Sequence, residues 1–559
     1  MACQDAVYSN DYYDIIVSKS DVIAGGGDVC RQEVAEQYVI YYLNRNEVPP
    51  LSIGVYKYVN IPKCFTTLDQ ISLEASGITK VQTQRNLELK GDHILIGFID
   101  TGIVYENSAF RNTDGSSRIT AIWDQTIESD RHPQGFIYGT EYTKSEIDEA
   151  LRQTNPRELV PTTDENGHGS KLAAIAAGSE DIANDFIGAA PYADIAVVKL
   201  KPAKQYLRDF YYIKEDAVAY QENDIFTAID YLNQLAEKRG EPLVLCIGLG
   251  TNQGNHGGGS RIASFLDTVA AAYRRAVCIA VGNEATARHH FYGSVREGTS
   301  EKAEINVTAD MKGFVVELWG RSSELFAVSV TSPTGEVMPR VPVWNGQQQK
   351  QRFVLENTRV TVDYQLGGVR NREQLVYMDF ETPKAGLWTV EIFPYRVIDG
   401  NFNMYLPISD FLEKEVYFVQ SNPDMTLTVP SSAELPMAVG GYNAITEGTF
   451  IESGRGYSMD GTIKPDFAAP AVEVFTQNKF GRYEKMTGTS AAAAISAGAC
   501  ALLMEWNIDF MDNRTVNSIE LRNQIVNGAR KLENQLYPNR EEGYGRLDLY
   551  QTILNMRSV

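Results

Sequence analysis

An aspartate, a histidine and a serine, each in a short segment of distinctive make-up, could together carry out nucleophilic acyl transfer. Asp100 closes the apolar run in ILIGFIDTG (94–102). Such a run fits a buried parallel strand, and open α/β sheets build their sites at the carboxyl ends of their strands. His168 lies between two glycines in NGHGSKLAAIAAG (166–178), at the start of a small-residue helix pattern. Its imidazole can therefore sit close to other backbone. Ser490 lies in TGTSAAAAISAG (487–498), at the mouth of an alanine-rich helix. A helix N-terminus favours developing negative charge. Taken singly, each has a plainer reading: an aspartate that starts a turn, a structural histidine, an N-cap serine. Taken together, the hydroxyl is a nucleophile, the imidazole its general base, and the carboxylate the group that orients the base.

These residues need elements to position them. Four apolar runs, ILIGFI (94–99), IAVVKL (195–200), LVLCIGLG (243–250) and AVCIAVG (276–282), read as buried parallel strands. Helical patterns such as HGSKLAAIAAG and DIFTAIDYLNQLAEKRG fall between them, so strand and helix alternate as in a parallel α/β sheet. After about residue 290 the character changes. KAEINVTAD, GFVVELWG, LFAVSVTSP, VTVDYQLG, QLVYMDFE and GLWTVEIFPYR are short alternating strands between turns, which predicts an antiparallel sandwich. The α/β character returns near 425, so the all-β block reads as an insertion. Residues 1–64 read as a small α/β module, with a strand at DIIV (14–17), a helix over VCRQEVAEQYVIYYLN and a strand at LSIGVYKYV (51–59).

Bulk properties exclude some functions. The chain has 559 residues, three or four domains' worth of material at about 150 each. It is 43% apolar, enough for a sizeable core. Its net charge of −21 argues against a nucleic-acid partner, since phosphate binding needs a basic footprint. No apolar stretch reads as a membrane span, and MACQDAVYSNDYYD lacks the look of a secretory signal, so the expectation is synthesis in the cytoplasm. The six cysteines are scattered without metal-ligand spacing, and three sit in apolar runs, which suggests a reducing site of synthesis. Neither the cysteines nor the remaining histidines form a ligand set, so no metal and no cofactor are expected. His289–His290 reads as structural.

The order Asp, His, Ser with these flanks resembles the subtilase family of serine endopeptidases, whose segments read Asp-Thr/Ser-Gly, Gly-His-Gly-Thr and Gly-Thr-Ser. AVGNEA (280–285), IGLGTN (247–252), IKPDFAAPAV (463–472) and GYGRLDLY (543–550) resemble further segments of that family. The resemblance implies a subtilisin-like parallel sheet flanked by helices, with Asp100, His168 and Ser490 as catalytic triad. It also implies Asn283 as oxyanion donor and a substrate groove along Gly248, Leu249, Gly250, Ala280, Val281 and Gly282. The sequence departs from the pattern at Ser170 and Lys171, at Ala494 where the family has proline, and at Gly248 where it usually has serine.

The missing proline and the all-β insertion resemble the clostridial spore-germination subtilases in particular. That likeness implies a catalytic domain split over 65–290 and 425–559, a jelly roll over 291–424, and packaging in the spore. Its substrate would be the zymogen of a cortex hydrolase. Residues 1–64 would be a propeptide whose tail binds the active site, with a cut near Cys64–Gln70 in a polar, exposed stretch. Two other readings stay open: a catalytically silent scaffold that senses or binds, and an active subtilase outside germination.

Overall fold

In the computed structural model, which describes residues 3–20, 30–35, 37–67, 74–321, 323–346, 348–366 and 373–557, the four apolar runs are neighbouring strands of one sheet. Its order is Gly448–Thr449, Met437–Asn443, Arg275–Ala280, Leu243–Ile247, Leu95–Asp100, Asp194–Lys199, Ile119–Asp124, Thr140–Thr143, and Phe467–Pro470 pairs with Met437–Asn443. The interior pairings are parallel, and antiparallel strands close the two ends.

Both faces are covered, which explains continuous rather than alternating apolar runs. Ile96 and Phe98 enter one core with Leu172, Ala491 and Ile495. Leu95 and Ile99 enter the other, with Ile225, Phe226 and Phe265. Each such side chain, fully buried, contributes about 1.5–3 kcal/mol. The helix Thr489–Asp509 is 21 residues long and apolar enough to cross a membrane by length and composition alone. In this fold 89% of its most apolar stretch is buried in the protein interior.

The all-β insertion forms two antiparallel sheets of six and five strands. They share one core, in which the Trp388 ring meets the edges of Phe353 and Phe380. The strand patterns read from the sequence all lie in these sheets.

The N-terminal residues differ from expectation. The stretch read as a helix over 29–44 forms two strands, Arg31–Val34 and Tyr38–Asn44, in an antiparallel sheet that follows the helix Cys3–Tyr8. In it Tyr38–Asn44 is central and pairs with Tyr12–Ser18 on one edge and Arg31–Val34 on the other. YVIYYLN is rich in aromatic and β-branched residues, and an apolar run of that length does not separate helix from strand by period alone. LSIGVYKYV forms turns and the short 3-10 helix Tyr58–Asn60, not a strand. Cys3 and Cys30 are joined in a disulfide, a pairing the scattered spacing did not suggest and one at odds with a uniformly reduced chain. The other four cysteines are buried thiols.

The insertion is bonded to the rest of the chain through buried groups. Glu317 accepts from the Tyr58 hydroxyl, from Gly254 N at 2.9 Å and from Trp319 Nε1 at 3.0 Å. Burial raises the pKa of its carboxyl. The Tyr212 hydroxyl donates to Asp379 at 2.7 Å. Removing 291–424 with a short linker therefore exposes the rings and strands that these groups cover. The variant should melt well below the parent in differential scanning calorimetry, and equal melting temperatures would contradict this packing.

Candidate active site

Asp100 is the last residue of the strand Leu95–Asp100, and His168 is the first of the helix His168–Ala177. The His168 Nδ1 lies 2.7 Å from Asp100 Oδ1, and both side chains are nearly inaccessible. That distance suits a charge-assisted bond, which fixes the ring's tautomer and orientation. Asp100 Oδ1 also accepts from Thr101 N at 2.8 Å. The glycines around the histidine have separate jobs. Gly167 has φ +96°, a conformation that favours glycine. A Cβ on Gly169 would lie 2.3 Å from the Gly102 carbonyl oxygen and 3.1 Å from the Asp100 Cβ, so only glycine lets helix and strand approach this closely.

Asp164, which the sequence reading missed, holds the loop that delivers the histidine. Its Oδ1 accepts from the Thr101 hydroxyl at 2.8 Å and Gly167 N at 2.6 Å. Its Oδ2 accepts from Ser170 N at 2.9 Å and the Ser170 hydroxyl at 2.8 Å. Thr101 in turn accepts from Gly169 N at 2.9 Å. The strand end and the helix start are thus tied through one buried carboxylate. Ser170, a departure from the family pattern, supplies two of these donors. The signal available in sequence was only an aspartate four residues before His168.

Ser490 is the second residue of the helix Thr489–Asp509, where backbone N–H groups have no partner within the helix. Its hydroxyl donates to the Gly248 carbonyl at 3.1 Å. A Cβ on Gly248 would lie 2.7 Å from Leu172 Cδ1 and 3.2 Å from Ser490 Oγ, so the histidine helix and the serine meet against this glycine. Asn283 Oδ1 accepts from Thr489 N at 3.1 Å and from the Thr489 hydroxyl at 3.2 Å. Since a backbone N–H can only donate, this contact assigns the oxygen of the Asn283 amide. Its NH2 end is then the one not bonded to Thr489.

The strand Leu249–Gly250 pairs antiparallel with Cys64–Thr67 of the chain itself, Leu249 opposite Thr67 and Gly250 opposite Thr66. The opposite edge of that segment pairs with Tyr220–Gln221, which the sequence reading did not single out. Two residues are too few to show a period. Ala280, Val281 and Gly282 do not pair with this segment. Val281 N donates to Val439 O, Thr428 N to Val281 O, and Gly282 N to the Thr489 hydroxyl. Cys64 and Phe65 are fully buried, which corrects the expectation of an exposed stretch. Polar composition described the segment but not the two strands that cover it; residues 68–70 of the expected cut lie outside the described residues. A cavity of about 940 Å³ opens elsewhere, between Tyr56, Arg261, Trp319 and Tyr364, and none of the expected site residues lines it.

Comparison with known proteins agrees with the fold. The model of the subtilase family matches residues 91–339 and 399–545, well over half the chain. The chain belongs to the subtilase family. A streptococcal C5a peptidase (Streptococcus pyogenes serotype M3) is 23% identical over 512 residues, 84% of this subtilase and 40% of that protein. The Arabidopsis thaliana subtilisin-like protease SBT3.5 is 28% identical over 180 residues, 29% of this chain and 22% of its own. This subtilase thus spans less than half the length of these curated relatives. Among solved structures, the Clostridium perfringens CspB protease superposes with a TM-score of 0.77 at 27% identity, over 87% of this chain and 98% of that one. The chain has the parallel sheet and flanking helices of a subtilase, with an added all-β region.

Asp164→Asn tests the loop scaffold. An amide turns one acceptor into a donor facing donors, and an unmet buried group costs about 1–3 kcal/mol. The variant should unfold at lower denaturant, and a fluorophosphonate probe should label its serine more slowly than in the parent. Unchanged stability and labelling would show that Asp164 does not hold the histidine loop.

Proposed function

We propose that this subtilase is an endopeptidase in which Asp100, His168 and Ser490 act as triad and the Asn283 amide with the Ser490 N–H receives the oxyanion. The observation that carries this reading is the chain's own strand Cys64–Thr67, seated between Leu249–Gly250 and Tyr220–Gln221 on the edge that holds Ser490. An extended segment added to these strands is how a protease presents a peptide for cutting. A rotation of the Ser490 side chain away from Gly248 O brings its oxygen to attack the scissile carbonyl. His168 takes the proton through Nε2, since its Nδ1 is held by Asp100, and later returns it to the leaving amine. Asp100 steadies the imidazolium that forms between these steps.

On this reading residues 1–64 are a propeptide, and 291–424 is a jelly roll that braces the catalytic domain of 65–290 and 425–559. The propeptide's tail is the first substrate and afterwards an inhibitor in the groove. The cut falls beyond the paired Thr67, between Thr67 and Gln70. The substrate outside the chain is a protein, and the resemblance to germination subtilases supports the zymogen of a cortex hydrolase in the spore. The silent-scaffold reading has one observation in its favour: the Ser490 hydroxyl donates to the Gly248 carbonyl, a bond that an attacking serine must give up.

A denaturing gel separates the readings. Wild-type protein should run as two fragments, the smaller ending between residues 67 and 70, and Ser490→Ala as one full-length chain. If both stay whole while wild type still cuts peptides, self-processing is wrong. If wild type neither cuts nor takes up a fluorophosphonate probe, the scaffold reading replaces the enzyme.

The general base also predicts a pH profile. Only neutral imidazole can accept the serine proton, so kcat/KM should fall as pH drops through a midpoint of about 6–7. A flat profile from about pH 5 to pH 9, well beyond that range on both sides, would remove His168 from the role.

A further inference from the structure

Behind the groove, on the side away from the serine, lies a buried polar cluster in which one carboxylate of the N-terminal residues meets the catalytic core. Asp14, on the strand Tyr12–Ser18, is fully buried. Its Oδ1 is 2.6 Å from Lys204 Nζ, and its Oδ2 accepts from Gln221 Nε2 at 2.7 Å and Asn223 Nδ2 at 3.1 Å. Its own N–H donates to the Tyr206 hydroxyl at 2.8 Å. Gln221 completes the circuit. Its Oε1 accepts from Lys204 N at 2.8 Å, and its Nε2 also reaches Asn223 Oδ1 at 2.9 Å. Lys204 Nζ donates as well to Ala6 O at 2.8 Å, in the first helix.

Gln221 is at the same time half of the two-residue strand that pairs with the tail, Cys64 opposite Gln221 and Phe65 opposite Tyr220. A strand of two residues has little pairing of its own to keep it extended. Its backbone faces the groove and its Gln221 side chain is fixed from behind by Asp14. Without Asp14, Lys204 is left as a buried cation near Lys201 and Asp224, and two buried amides each lose one of two acceptors, Gln221 keeping Asn223 Oδ1 and Asn223 keeping Asp224 Oδ1. Such groups draw in water or rearrange.

We propose that Asp14 is a positioning residue for catalysis: through Gln221 it holds the outer wall of the substrate groove, so the N-terminal residues form part of the working enzyme after any cut. This rests on the reading of Leu249–Gly250 and Tyr220–Gln221 as the groove. It concerns the part of a substrate well before the scissile bond, since Tyr220–Gln221 faces Cys64 and Phe65. The reacting atoms at Ser490 and His168 are untouched by it.

The experiment uses the full-length chain, allowed to process itself, as wild type, Asp14→Ala, Asp14→Asn and the exposed control Lys19→Ala. Two substrates are compared: a peptide long enough to reach Tyr220–Gln221, and a small activated acyl ester that engages only the serine. For both Asp14 variants the proposal expects a KM for the long peptide raised by about tenfold, the loss of one to a few buried hydrogen bonds, with kcat and the ester rate near wild type. Lys19→Ala should match wild type on both. Asn keeps the shape of Asp while setting a donor among donors, so it answers if the alanine variant does not fold. The proposal is overturned if both substrates slow equally, which marks a general structural role, or if neither changes. If wild type itself gains nothing from the longer peptide, the groove reading fails instead, and that result is separate from the variants.

Discussion

Close approach of backbone is the constraint on which the rest of this site depends. A carboxylate, an imidazole and a hydroxyl must meet at one sheet edge although each comes from a different part of the chain. They can do so only where two helices press against strand ends without intervening side chains. At Gly169 the gap to the Gly102 carbonyl is too small for a methyl group, and at Gly248 the same holds against Leu172 and Ser490. The serine helix extends the rule into the core: a Cβ on Gly498 would lie 2.3 Å from the Ala189 Cβ and 2.8 Å from the Ala176 carbonyl oxygen. Runs such as LAAIAA and AAAAISAGA are therefore the packing surface of two helices that cross tightly, and they leave no room for volume-increasing change.

This closeness explains why so much of the site was legible. Glycine and alanine flanks are a sequence signature of close approach, and they mark Asp100, His168 and Ser490 before any fold is known. The sheet was legible for a related reason: strands buried on both faces lose alternation and become apolar runs, and 94–99, 195–200, 243–250 and 276–282 are such runs. The illegible parts share a different cause. VCRQEVAEQYVIYYLN carries apolar residues at spacings that suit a helix, yet Tyr38–Asn44 pairs with Tyr12–Ser18 in full register. The partner strand, absent from any local window, decided the outcome. Tyr220–Gln221 and Cys64–Thr67 are short strands that exist because of each other. Asp164 is an aspartate in a polar loop until its four donors are seen around it.

The buried charges follow the same logic. A net charge of −21 says little about the interior, where Lys63, Lys199, Lys201, Lys204 and Lys464 are nearly inaccessible. Each lies within ion-pair distance of a carboxylate: Glu222, Asp124, Asp224, Asp14 and Asp466. Desolvation pulls the pKa of Lys63, Lys204 and Lys464 down against those partners. Pairs of this kind add little over a well-packed apolar contact, but breaking one leaves an uncompensated charge. They fix which segments belong together. Two of them, Lys63–Glu222 and Lys204–Asp14, join the first 64 residues to the catalytic core.

That arrangement separates two events that a cut after the tail might seem to couple. On the proposed reading the tail Cys64–Thr67 is held in the groove by short backbone pairing, two residues to Leu249–Gly250 and two to Tyr220–Gln221. Each such bond is worth about 0.5–1.5 kcal/mol net, and the same bonds are available to any extended peptide. The body of the N-terminal residues is held differently. Its departure would separate Asp14 from Lys204, Gln221 and Asn223 and uncover Ile16, Ile40 and Tyr42, which pack in one core with Ile225 and Phe226. An incoming peptide therefore competes with a few backbone bonds of the tail and not with the whole interface. If the groove is the one proposed, it can exchange one strand for another while Asp14 stays in place behind it.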